Sequence, residues 1–227
     1  MQRGLVVKVM SALAAMTLTL LLTFGLSAAV RASRGSRGDT HRWVVVQKTG
    51  WGSGDGHHSF GARVVNRANA DAWGVTVTVE IVAGGRVEER ESFLIDFIPA
   101  GKRFVVADSS HRDSGIPRHS QVIAHVRVRQ MERHGSGDRL ATVSHVEIDR
   151  KNYRVKAVMT NPYPFSINLH GWHAFALLYD SVGRIVGGGK NYRLKGHLKA
   201  HGQTRIAIYT AAPMSQVKRA EVSITPP

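Results

Sequence analysis

The residues in this chain whose types could do chemistry are first of all histidines. Its 227 residues include 12 histidines and no cysteine, so a metal site would be built from imidazole and carboxylate, without thiolate. Two groupings stand out: His170 and His173, in His170-Gly171-Trp172-His173, and His197 with His201 ahead of Gly202. His57-His58 adds a third pair. Zinc needs three or four ligands on one side of a scaffold. On an extended strand, residues three apart point to opposite faces, so His170 and His173 share an ion only where the chain bends at Gly171. No HExxH pattern supplies a general base beside them. These four histidines support a metal-binding protein or metallohydrolase as the alternative reading. The primary expectation is no metal, no cofactor and no catalytic residue.

Other chemistries find less. There is no Gly-x-Ser-x-Gly elbow for a hydrolase. Asp96, Asp108, Asp113, Asp149 and Asp180 each stand singly near turns or strand ends, where an aspartate ordinarily accepts hydrogen bonds from nearby backbone amides. The stretch Gly50 to Gly61, GWGSGDGHHSFG, has neither the Gly-Lys-Ser/Thr of a phosphate loop nor the spaced acids of a calcium loop. Its composition predicts a mobile loop.

Charge points elsewhere. The formal net charge is +15, an excess that attracts polyanions at long range. Arg127 and Arg129 alternate with Val126 and Val128, so a strand there shows both arginines on one face. Lys190, Arg193, Lys195 and Lys199 crowd a second stretch, interleaved with Tyr192. Cations beside an aromatic suit phosphate chains or sugars. No nucleic-acid motif accompanies them, so no specific nucleic acid is expected.

The elements that must position these residues are almost all strands. Arg3 and Lys8 precede an uncharged apolar run from Val9 to Val30, so residues 1–30 read as a signal peptide or an uncleaved membrane anchor. Residues 31–40, RASRGSRGDT, read as a linker. Beyond it, Val75, Val77, Val79 and Ile81 alternate with Thr76, Thr78 and Glu80, the period-two pattern of a half-buried strand. Gly84-Gly85 then predicts a hairpin turn. The same plan recurs: Phe175 to Tyr179, then Asp180 to Gly183, then Arg184-Ile185. Gly85 and Gly183 fall at matching points. Asn66 matches Asn161, each ending a strand, and Gln121-Val122 matches Gln216-Val217. One plan is thus written twice, over residues 41–130 and 142–227, with a polar join at 131–141. Several short alternating strands per copy predict two tandem immunoglobulin-like β-sandwich domains, an all-β protein.

In the second copy Leu178-Tyr179-Asp180 followed by Gly183, with Asn161 upstream and Gly202 downstream, resembles the FxLyD-type domain, a bacterial extracytoplasmic sandwich module. Ala176 stands where that pattern has Phe. The first copy shares only the architecture, with Val79-Glu80-Ile81 in place of the signature. The resemblance implies a non-catalytic part of a surface protein. The expectation is therefore an extracytoplasmic protein, secreted, wall-associated or anchored through its N-terminal segment, acting in recognition or scaffolding on an anionic envelope polymer or a protein partner.

Overall fold

The structure is a computed structural model. It describes residues 42–54, 56–110, 116–117, 119–133 and 141–227, so the expected leader and the 31–40 linker lie outside the described residues, as does Asp113. Among the described residues no helix is long and apolar enough to cross a membrane.

The protein is all-β. In the first half, β1 (Val44–Gly54), β2 (His57–Asn66) and β5 (Arg103–Ser110) form one antiparallel sheet in the order β1-β2-β5. β3 (Asp71–Ala83), β4 (Arg86–Ile98) and β6 (Gln121–Glu132) form another in the order β4-β3-β6. The second half repeats this topology. β7 (Thr142–Asp149), β8 (Arg154–Thr160) and β13 (Gln203–Tyr209) pair as β13-β8-β7, while β10 (His173–Tyr179), β11 (Ile185–Asn191) and β14 (Arg219–Thr225) pair as β11-β10-β14. A short pair, β9 (Ile167–Asn168) with β12 (His197–Leu198), is added at the side.

The repeat extends to single hydrogen bonds. Asn66 is fully buried; its amide donates to the carbonyls of Ala70 (2.7 Å) and Ile98 (2.9 Å), and its oxygen accepts from Ala68 N. Asn161, also fully buried, donates to Phe165 (2.8 Å) and Lys199 (2.9 Å) and accepts from Tyr163 N. Each asparagine closes its own following loop and clamps the distant loop that leads to the fifth main strand of its copy, β5 or β13. A buried amide serves because only it offers two donors and an acceptor at one point. The turns differ: Gly84 and Gly85 both take positive φ (56° and 81°) in a two-residue hairpin, whereas the second copy turns through Asp180 to Arg184 with Gly183 at φ 78°.

The two halves share their interior. Val75, Val77, Val79 and Ile81 of β3 face Phe60, Ala62 and Val64 of β2 across the first sandwich. The opposite face of the β1-β2-β5 sheet, through Gly61, Val105 and Ala107, lies on β10 and β11. Phe175, Leu177 and Tyr179 therefore belong to the first half's core, while Ala174, Ala176 and Leu178 on the other face of β10 belong to the second. A strand buried on both faces carries a continuous apolar run instead of an alternation, which is why Ala174 to Tyr179 lacks the polar face that β3 has.

Glycine makes this contact possible. Gly50-Trp51-Gly52-Ser53-Gly54 is not a loop: it is the second part of β1, and His57 to Gly61 begins β2. A Cβ at Gly52 would fall on the Val186 carbonyl, one at Gly54 on the Ala212 carbonyl, one at Gly50 within 2.6 Å of Ile185 Cβ, and one at Gly61 within 2.7 Å of Leu177 Cδ1. From the other side, a Cβ at Gly188 would lie 2.7 Å from that of Ala107. The glycines remove side chains where two sheets meet backbone to backbone. Gly52→Ala must therefore displace β11 and is expected to cost ~3 kcal/mol, at the upper end of core overpacking. Gly84→Ala, where nothing lies within 4 Å and only positive φ opposes a side chain, is expected to cost ~1 kcal/mol. Urea unfolding midpoints of the two variants test this ordering.

Candidate anion-binding site

The outer face of the β4-β3-β6 sheet is the counterpart of the second-half sheet face that is covered by β1-β2-β5. In the first half it is open. The registers set its rows: Leu94 on β4, Thr76 on β3 and Arg127 on β6 stand side by side. Gly74, in the next row, is flanked by Asp96 and Arg129. These residues, with Val128, Pro226 and Pro227, line a groove of about 500 Å³. Gly74 forms its floor, at φ 57°, and a Cβ there would come within 2.9 Å of Arg129 Cβ. Leu94 is 64% exposed. The Thr225 hydroxyl accepts from Asp96 N at 3.2 Å, which fixes Pro226 and Pro227 against β4.

Arg127 and Arg129 are exposed. Among the described residues the ion pairs join other groups, and none includes Arg127, Arg129 or Asp96. Burial holds the Asp96 carboxyl above its ordinary range. The groove thus presents two unneutralised guanidiniums with one isolated carboxylate across β3 from them.

The second basic stretch is not one site. Lys190 is only 23% exposed and binds Glu91 (2.9 Å) and Asp108 (2.8 Å) of the first half. Burial lowers its tendency to stay charged, but the two carboxylates outweigh that and hold its pKa above the ordinary value. Asp108 is raised, chiefly by burial. Lys190 accordingly ties the halves together instead of offering a free charge. Tyr192 is half exposed, with the Arg193 guanidinium 5.4 Å from its ring. Lys195 and Lys199 are exposed on the connections before and after β12.

The candidate metal-ligating histidines His170, His173, His197 and His201 do not converge on one ion. Among the described residues no three His, Asp or Glu side chains form a group able to hold a metal ion. His173, at the start of β10, sets its ring edge-on to Phe175, and burial together with Lys190 lowers its pKa. His170 sits in the turn before β10, His197 on β12 and His201 in a turn at φ 52°. His58 is buried against Glu89, with Nε2 2.5 Å from the carboxylate.

A further polar cluster lies between the halves. Glu221 on β14 accepts from the Tyr179 hydroxyl (2.8 Å), from Arg63 of β2 (3.0 Å) and from Arg219 (2.6 Å). Burial pushes the Glu221 carboxyl up, yet Tyr179 and the two guanidiniums outweigh it and its pKa is lowered. Tyr179 is raised by burial and by Glu221.

The single aspartates divide into kinds. Asp149 caps the short 3₁₀ turn at Arg150–Asn152 and binds Lys156 at 2.7 Å, which brings its pKa down to about 2. Asp180 Oδ1 accepts from Val182 N (3.0 Å) and Arg184 N (2.8 Å), and Oδ2 binds Arg184 Nε (2.7 Å). Lys48 reaches the carbonyl of Gly183 in the same turn. Asp108 and Asp96 lie within strands: Asp108, near the end of β5, accepts from the adjacent Ser109 N (2.8 Å) as expected and in addition pairs with Lys190, while Asp96 faces the groove. The signal for Asp96 is the alternation Leu94-x-Asp96 on β4, laid beside Arg127-x-Arg129 once the strand order is known.

No family model matches the chain, and no curated protein matches it. Among solved structures it is similar to red sea bream transglutaminase, at 14% identity and a TM-score of 0.30, over 82% of this chain and 29% of that one. The chain thus spans under a third of that protein's length, and a likeness this slight carries no functional inference.

Asp180→Asn is expected to lower the unfolding midpoint slightly at neutral pH. Burial opposes the charge of Asp180, but Arg184 and the turn amides hold its pKa below the ordinary 3.8. A lowered folded pKa stabilises fully above the unfolded value and is lost as pH falls through the folded one. The gap between wild type and variant should therefore shrink below pH 3.8. Unfolding curves from pH 7 to pH 2 check the trend.

Proposed function

We propose that this chain is a non-catalytic extracytoplasmic protein that binds an anionic envelope polymer on the outer face of the β4-β3-β6 sheet. The observation that carries the reading is the pair Arg127 and Arg129, side by side and unpaired among the described residues, in a groove on the face that the other half of the repeat keeps covered. Successive same-face residues on a strand lie about 7 Å apart, so one extended polyanion running along β6 meets both guanidiniums. Arginine suits this role because its planar fork donates two parallel hydrogen bonds to phosphate or carboxylate. The net charge of +15 adds long-range attraction. The apolar run Val9 to Val30 and the resemblance of residues 142–227 to the FxLyD-type module favour a place outside the cytoplasm, with the N-terminal segment as a membrane tie where it is retained.

Binding by ion release makes affinity fall linearly with log salt, with a slope near 0.7 to 0.9 per neutralised phosphate. Wild-type protein should be retained on immobilised polyphosphate at low salt and released steeply as salt rises. The Arg127→Ala/Arg129→Ala variant should bind more weakly with a slope lower by roughly 1 to 2, and with an unchanged unfolding midpoint because both side chains are exposed. Retention that ignores salt, or a variant that matches wild type, overturns the reading.

A further inference from the structure

We propose that the groove selects polyanions that carry free hydroxyls next to their anionic groups, and that Asp96 is the residue that makes the selection. The inference rests on the reading of Arg127 and Arg129 as anion-binding residues and adds the chemistry of what lies beside the anion. Asp96 and Arg129 flank Gly74 from the two neighbouring strands, and strands two apart in a sheet are separated by about 10 Å. Among the described residues no ion pair joins Asp96 to Arg129. A polyanion running along β6 on the two arginines therefore has Asp96 as its neighbour across β3.

A ligand seated there must present something to Asp96. A second anionic group meets a carboxylate of like charge that is partly withdrawn from water, which raises its pKa, so the two repel across a partly screened gap. A hydroxyl donates to the carboxylate and carries no charge of its own. The remaining lining fits the same ligand. Thr76 offers a further hydroxyl between Leu94 and Arg127, and Leu94, Pro226 and Pro227 give an apolar wall for C–H surfaces. Gly74, with no side chain, leaves room for the Arg129 stem, whose Cδ lies 3.3 Å from where a Cβ would stand. The selection works as much by rejection as by attraction, the usual way specificity is obtained among ligands sharing one anchoring group.

Two sources share this chemistry, a polyuronate and a polyol phosphate. The experiment measures binding of wild type, Asp96→Asn and Arg127→Ala/Arg129→Ala to three soluble polymers of matched length at one salt concentration: polyphosphate, polygalacturonate and poly(glycerol phosphate). Wild type should bind at least one hydroxylated polymer about threefold to tenfold more tightly than polyphosphate, the size of one partly screened like-charge contact. Which of the two hydroxylated polymers leads identifies the source. Asp96→Asn, nearly isosteric and checked by its unfolding midpoint, should bring the ratio towards one, mainly by tightening polyphosphate. A wild-type ratio of one, or a ratio unchanged in Asp96→Asn, overturns the selection while leaving anion binding intact if the arginine variant still weakens every polymer. An arginine variant that binds all three as wild type does overturns both.

Discussion

The structure depends on a close approach between two sheet backbones. Sheets packed face to face ordinarily stand about 10 Å apart because side chains fill the space. Between β1-β2-β5 and β11-β10-β14 much of that filling is missing. Gly50, Gly52, Gly54 and Gly61 on one side and Gly188 on the other let main chain and small side chains touch directly. Every consequence for the second half follows from this contact. β10 is enclosed on both faces, Tyr179 is driven out of reach of water, and the Gly187-Gly188-Gly189 run of β11 lies between two layers where a Cβ would meet Ala211, Ala176 or Tyr209.

Polar groups caught at such a contact need partners. Arg63 is 7% exposed and Glu221 binds it together with Tyr179 and Arg219. Lys190 likewise spans from β11 to Glu91 and Asp108. A slip of one residue in the stacking would leave Arg63 desolvated with no carboxylate, which is far costlier than the intact pair is favourable. The glycines allow the approach, and the charged network penalises the wrong alignment of it.

The stacking also decides which surfaces are left for a ligand. It is head to tail: the β1-β2-β5 sheet of the first copy meets the β11-β10-β14 sheet of the second, which corresponds to β4-β3-β6. Ser223 of β14 shows the covered state, its hydroxyl accepting from Val105 N of β5. The equivalent position on β6 is Arg127, which is exposed. One plan therefore uses the same sheet face for assembly in one copy and leaves it free in the other, with Arg127 standing at the position that Ser223 holds in the covered copy.

Much of this was legible along the chain. The duplication, the strands, the matching positions of Asn66 and Asn161 and the turns at Gly85 and Gly183 followed from local chemistry: β-branched alternation, turn glycines at positive φ, and an aspartate, Asp180, whose partners are its own next residues; that each asparagine clamps a loop more than 30 residues away did not. Arg127 and Arg129 were placed on one face by the period of a strand. What one dimension could not carry was every property set by a distant segment. The glycines of Gly50 to Gly61 read as a loop because glycine weakens a strand unless another chain segment lies against it, and those segments, at Val106, Leu177, Ile185, Val186 and Ala212, are remote in sequence. Lys190 looked free because Glu91 and Asp108 come from the other copy, and Asp96 looked like a turn residue because its place beside Arg129 exists only across β3. The sequence by itself determined the all-β class, the repeat and the turn chemistry, since these depend on neighbours within a few residues; the tertiary structure alone decided which face is buried, which charges are paired and where the groove lies, since each depends on desolvation by a remote part of the chain.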